Sequence, residues 1–188
     1  MCNAHVKRLR VNLAVLCVMF GLAAHADPQP GRAFPTFAVN DLAGNSHTQR
    51  DLAGRWTVLF VMSDKDTHPA ISPWYRRVRQ GAPEARLITM AALDLFPLIP
   101  TATVVSQARD NTPRARWSEV WLSRDGSLAA SLGLPESEIP WVFVVSPAGR
   151  VVEAVHGTVD DASVARVLAA LPSRAAPVDG APLVTATR

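Results

Sequence analysis

Five consecutive side chains carry the densest polar chemistry of this 188-residue chain: Asp64, Lys65, Asp66, Thr67 and His68. Two carboxylates, an ammonium, a hydroxyl and an imidazole within one short stretch suit the binding of a polar group. Asp-x-Asp-x-His offers three hard or borderline ligand types to a cation. A helix starting just after the stretch would instead turn backbone N–H groups and its dipole toward an anion. The same residues also fit a solvated loop whose aspartates cap the next helix while His68 and Pro69 fill a turn. Lys65 is the sole lysine after Lys7, every other strongly basic side chain beyond the first ten residues being arginine. These five residues are expected to form a candidate binding loop, with no catalytic residue, no metal and no cofactor.

Thiol chemistry is placed elsewhere. The two cysteines are Cys2 and Cys17, and both fall in a segment that reads as a secretory signal. Lys7, Arg8 and Arg10 precede an apolar run from Val11 to Ala24, which ends in Ala24-His25-Ala26, an A-x-A cleavage site. The run, about 14 residues, is shorter than the roughly 20 a membrane span needs. Leu16 is bulky where a lipid-attachment site at Cys17 wants a small residue. The expectation is therefore a signal peptide over 1–26, and a secreted chain, in bacteria a periplasmic one, that is cysteine-free and has no stable membrane span. Three of the 19 Lys and Arg and none of the 16 Asp and Glu lie in the signal, leaving 16 of each beyond it. The net charge of +3 thus belongs to the leader, and a basic surface for nucleic acid is not expected. A G-x-S-x-G elbow, an H-E-x-x-H pair and a glycine-rich phosphate loop are all absent from the sequence.

The elements that must position the loop follow from hydrophobic patterning. An extended Pro/Gly-rich lead-in covers 27–35, and Phe37-Ala38-Val39 reads as an edge-like strand. Trp56 to Met62 is a continuous apolar run, the signature of a strand buried on both faces. It breaks into the polar 63–69 loop. Ser72 as N-cap and Pro73 at the first helical position predict a helix through Gln80, stopped by Gly81 and Pro83. Strands are expected at Arg86–Met90 and Val120–Leu122, with a helix within Thr101–Trp117. Ser127–Leu132 should be a short helix closed by Gly133 in the left-handed region. Trp141–Val145 and Arg150–Val155 flank Ser146-Pro147-Ala148-Gly149, a type I turn, and form a hairpin. Asp160–Leu171 is the last helix, with Val164, Val167, Leu168 and Leu171 on one face. The tail, 172–188, has no periodicity and reads as disordered. Trp74, Tyr75, Arg76, Arg77 and Arg79 give the first helix a basic, aromatic face. That face fits a partner-docking surface, while the favoured reading is a Trp packed on the sheet beneath solvated arginines. His47 and His156 have no partner in sequence, and Asp160-Asp161 supply the acidic end of the last helix.

This order of elements resembles the thioredoxin-like superfamily, in its secreted thiol–disulfide interchange and peroxiredoxin-like branch. Phe34-Pro35-Thr36-Phe37 and Leu52-Ala53-Gly54-Arg55-Trp56 are similar to its opening. Arg124-Asp125-Gly126, Leu132 to Pro135, Ile139 to Val145 and Pro147 to Val151 are similar to its C-terminal half. The resemblance covers roughly Phe34 to Leu171 and implies a single-domain α/β fold over 36–171, a mixed sheet flanked by helices. It further implies a cis Ile139–Pro140 bond beside the 63–69 loop, with Trp141 and Trp74 as apolar contacts. In that superfamily the loop after the first buried strand carries a Cys-x-x-Cys pair or a peroxidatic Cys, activated as a thiolate at a helix N-terminus. Those places here fall on Asp66, Thr67, His68 and Pro69, which cannot exchange disulfides. The expectation is a redox-inactive, non-catalytic binding or accessory protein whose partner is a periplasmic protein or peptide. A thiol–disulfide oxidoreductase or peroxiredoxin-type activity, by resemblance, and a small anion- or metal-binding module on the Asp64–His68 loop are the alternatives.

Secreted material should begin at Asp27 and contain no titratable thiol. Intact mass and a thiol count check this; a lipid adduct or a retained Cys17 would overturn it.

Overall fold

The computed structural model describes residues 28–95 and 98–172. The signal expected over 1–26 lies outside them, as does the tail after Pro172. Seven strands form one mixed sheet: β1 (Ala38–Asp41), β2 (Ser46–Thr48), β3 (Thr57–Met62), β4 (Arg86–Ala92), β5 (Val120–Ser123), β6 (Trp141–Val145) and β7 (Val151–His156). Their order across the sheet is β2-β1-β5-β4-β3-β6-β7. The pairs β3–β4 and β4–β5 are parallel and the other pairs antiparallel. Among the described residues four α-helices flank the sheet: α1 (His68–Gly81), α2 (Thr101–Asp110), α3 (Ser127–Leu132) and α4 (Asp161–Ala169).

The continuous apolar run at 57–62 is the middle of this sheet. Its side chains alternate between two faces because a strand has a period of two. Leu59 and Val61 join one core with Phe34, Ile88, Met90, Trp121, Phe143 and the α3 residues Leu128 and Leu132. Val58 and Phe60 join the other, with Ile71, Trp74 and Val78 of α1 and Val164 and Val167 of α4. The lead-in belongs to the folded unit: Phe34 is buried, and Gly31 N–H donates to the Val151 carbonyl while Val151 N–H donates to that of Arg32.

Local signals hold at several termini. Gly133 closes α3 at φ +64°, the Gly149 N–H donates to Ser146 O across the hairpin turn at 2.9 Å, and Asp160 caps α4 by accepting from Ser163 N–H. Helix α1 departs from expectation. It begins at His68 rather than at Ser72, with Pro69 in its first turn, so Pro73 sits inside it and removes one i→i−4 bond. The expected helix within Thr101–Trp117 splits into α2 and a 3₁₀ segment at Arg114–Glu119, divided by Pro113, which carries no N–H to continue the ladder.

The implied cis bond at Ile139–Pro140 is corrected: the described residues contain no cis peptide. Pro140 stands just before β6, whose ladder with β3 starts at Trp141 opposite Val61. A missing N–H therefore costs nothing in the sheet, while the Pro140 carbonyl accepts from Gly157 N–H at 3.2 Å. A trans proline is thus accommodated at the strand's mouth.

Near the opposite edge a buried carboxylate ties down the β1–β2 hairpin. Asp41 is 5% exposed and accepts from Asn45 N–H (2.8 Å), Asn45 Nδ2 (3.0 Å) and His47 Nε2 (2.9 Å). His47, unpartnered in sequence, also stacks on Trp121 at 4.4 Å between ring centres. Burial pushes the Asp41 carboxyl upward, yet the hydrogen bonds from His47 and Asn45 outweigh it and hold the group below its ordinary 3.8. A depressed carboxylate contributes stability above its unfolded pKa and loses it as pH falls through the folded one. Asp41→Asn should therefore cost about 1–3 kcal/mol at neutral pH, with the difference from the parent closing below pH 3.8. Urea unfolding at pH 7 and at acid pH checks both limbs.

Candidate functional site

Because β3, β4 and β5 run parallel, their carboxyl ends share one edge of the sheet, and antiparallel β6 brings its start, Trp141, to the same edge. Open α/β sheets take ligands in the crevice beyond such an edge. The 63–67 loop leaves β3 there and runs straight into α1.

Two hydroxyls fasten this loop to the segment before β6. Ser63 Oγ donates to the Pro135 carbonyl at 2.8 Å, and Thr67 Oγ1 donates to the Ser137 carbonyl at 2.8 Å. Thr67 is fully buried, so among the five candidate residues it is an anchor rather than a presented group. Asp64 caps the 3₁₀ turn that follows it, its Oδ1 accepting from Asp66 N–H at 2.6 Å. Exposed Lys65 hydrogen-bonds to the Asp66 carboxylate, which together with the charges of Asp66, Asp64 and Glu138 raises its pKa. His68 opens α1 and is exposed. Among the described residues no three His, Cys, Asp or Glu side chains are grouped to hold a metal ion. Asp64 is taken up by capping and Asp66 by an ion pair with Lys65.

The partner segment carries a constellation that sequence reasoning missed. Ser137 Oγ lies 3.0 Å from His156 Nε2 and accepts from Ile139 N–H at 3.1 Å. His156 stacks face to face on Trp141 at 3.8 Å. Ser137 and His156 stand 19 positions apart, and only the β6–β7 pairing of Trp141 with His156 joins them; no sequence spacing signals it. Trp74 packs on the sheet, as the favoured reading of α1 expects, and so offers no apolar contact at the loop: it is fully buried, its Nε1 donating to Gly157 O at 3.1 Å. The docking face proposed on α1 reduces accordingly. Arg77 pairs with Asp161, and Tyr75 hydrogen-bonds to Glu119 beneath the Arg116 guanidinium, 3.8 Å from its ring centre.

Behind the loop, on the α1 face of the sheet, lies a cavity of about 660 Å³. Thr89 and Ala91 of β4 and Val120 and Leu122 of β5 line it below, Ile71 of α1 at the side, and Val104 and Ala108 of α2 above. Lys65 and His68 line it where it meets the loop. Its origin is a difference in covering: α1, α3 and α4 each bury two or more side chains, whereas α2 buries none.

No family model matches the chain, and no curated protein matches it. Solved structures do. Over 74% of this chain and 98% of its own, the structure of dsbF from MTB in its mixed oxidized and reduced forms is similar at 22% identity and a TM-score of 0.52. A thio-disulfide isomerase from Thermus thermophilus is similar at 20% identity and 0.53, over 76% and 96% of the two chains. The pneumococcal exposed lipoprotein thioredoxin of Streptococcus pneumoniae strain TIGR4 is similar at 12% identity and 0.52, over 72% and 99%. The fold is thioredoxin-like.

Thr67→Val should lower stability by about 1–2 kcal/mol, because the half-buried Ser137 carbonyl loses its partner, while Thr67→Ser keeps the bond and costs less. Urea midpoints of the two variants, compared with the parent, check the order.

Proposed function

We propose that this thioredoxin-fold chain is a secreted or periplasmic binding or accessory protein without redox chemistry of its own. One observation carries the reading: no cysteine occurs after position 17, so the loop after β3, where a thioredoxin-like fold keeps its thiols, presents Lys65, Asp66 and His68 around a buried Thr67. Disulfide exchange and peroxide reduction in this fold need a thiolate as nucleophile. A hydroxyl hydrogen-bonded into the fold does not replace it.

What remains at the edge suits binding. The loop is clamped at both ends by the Ser63 and Thr67 hydrogen bonds, which holds the exposed Lys65 and Asp66 between them, with exposed His68 just beyond at the start of α1. A pre-organised polar rim beside an apolar cavity is the usual form of a ligand site. Export is supported by the A-x-A signal at 24–26, and among the described residues no helix is long and apolar enough to cross a membrane. Two of the similar structures bear names of disulfide chemistry, a thio-disulfide isomerase and an exposed lipoprotein thioredoxin. At their identities they support the fold, and the missing thiols separate this chain from that chemistry.

Insulin reduction and peroxide consumption by the purified chain should not exceed the blank, with Cys2 and Cys17 intact or both replaced by Ser. Turnover by the Cys2→Ser/Cys17→Ser variant would overturn the reading.

A further inference from the structure

We infer that the cavity between α1 and α2 binds a small amphipathic carboxylate, with its apolar body under α2 and its anionic head at Arg76. The inference rests on the binding reading above and names a ligand class for it.

Size and lining come first. At about 660 Å³ the space lies inside the roughly 300–1,000 Å³ typical of small-molecule sites. Protein interiors are otherwise close-packed, and apolar voids as small as about 150 Å³ already take up apolar guests. The floor is mainly apolar: it is the pleated surface of β4 and β5, where Ala91, Val120 and Leu122 stand beside the single hydroxyl of Thr89 and Ala91 contributes only a methyl group. The roof is α2, a ten-residue helix without one buried side chain. Val104 and Ala108 turn toward the space and are only half-buried, so an apolar guest completes the core that α2 otherwise lacks.

Charge then selects the head group. The residues lining the cavity include Lys65, Arg76, Arg116 and His68, and no Asp or Glu. Two of the cations are already occupied: Lys65 by Asp66, and Arg116 by Glu119 and the Tyr75 ring. Arg76 makes no ion pair among the described residues. An unpaired guanidinium at the mouth of an apolar cavity matches a carboxylate, whose two oxygens it can take in a paired fork. Ser72 precedes it by one helical turn and offers a hydroxyl at the same rim.

The test is calorimetric titration of the purified chain with octanoate, decanoate and dodecanoate below their micelle concentrations, beside the matched alcohols and alkylammonium ions. Binding should tighten about fourfold per added methylene, and the carboxylates should bind more tightly than either comparison series. Arg76→Gln should weaken the carboxylates roughly three- to tenfold and leave the alcohols unchanged. Ala108→Trp and, independently, Ala91→Leu fill the space and should abolish binding without lowering the melting temperature of whichever variant folds. Equal affinity for carboxylate and alcohol overturns the inference, as does binding that survives in both folded cavity-filling variants, or no binding in any series. Turnover in the insulin or peroxide assay would instead overturn the binding reading, so the two failures are distinguishable.

Discussion

The structure depends on covering β3 from both sides. Every side chain from Thr57 to Val61 is buried, and both edges of the strand are hydrogen-bonded, to β4 and to β6. A strand with no solvent-facing surface cannot slip register without moving polar neighbours into a core. That constraint fixes where the chain emerges at Met62, and hence where the 63–67 loop and the start of α1 must lie. Ser63 and Thr67 then act as fasteners between this exit and the segment leading into β6. The polar loop is consequently held by the same sheet that makes the core.

Covering is less complete over the other half of that face. Helices α1 and α4 press Ile71, Trp74, Val78, Val164 and Val167 onto β3 and β6. Over β4 and β5 the cover is α2, whose Thr-, Ser- and Gln-containing sequence puts no side chain into the core. It is held through polar contacts at its end, such as Arg109 Nε donating to the Leu42 carbonyl at 2.7 Å. The thioredoxin-like sheet thus carries a fixed polar rim and a mainly apolar space behind it. Thiol–disulfide exchange asks for a thiolate, and the loop after β3 holds no cysteine.

Much of the fold was legible along the sequence, and for local reasons. The apolar run at Trp56–Met62, the Pro-Ala-Gly turn between β6 and β7, the glycine cap at Gly133 and the aspartate cap at Asp160 each depend on interactions within a few residues. Helix α1 shows where such signals compete. Ser72-Pro73 is a good local start, yet the helix begins at His68 because Pro69 serves the first turn equally well and Thr67, anchored to Ser137, sets the entry point. The trans Ile139–Pro140 bond is of the same kind: resemblance implied cis, and the register of β6 against β3 removes the need for it.

The candidate site was legible only in part. Its position after the first buried strand and its lack of cysteine are properties of the residues themselves, because a missing thiol is missing in any conformation. The Asp64 cap is local, two residues from its donor; that Thr67 anchors to Ser137, that Trp74 donates to Gly157 and that Ser137 meets His156 depends on contacts 19 to 83 residues apart, which no local spacing encodes. The sequence by itself determined the strands, the polar loop and the absence of cysteine from that loop, through composition and short-range hydrogen bonding. Tertiary structure alone decided which of the polar groups became fasteners and left a cavity beneath α2, because both follow from how separate elements pack against a shared sheet.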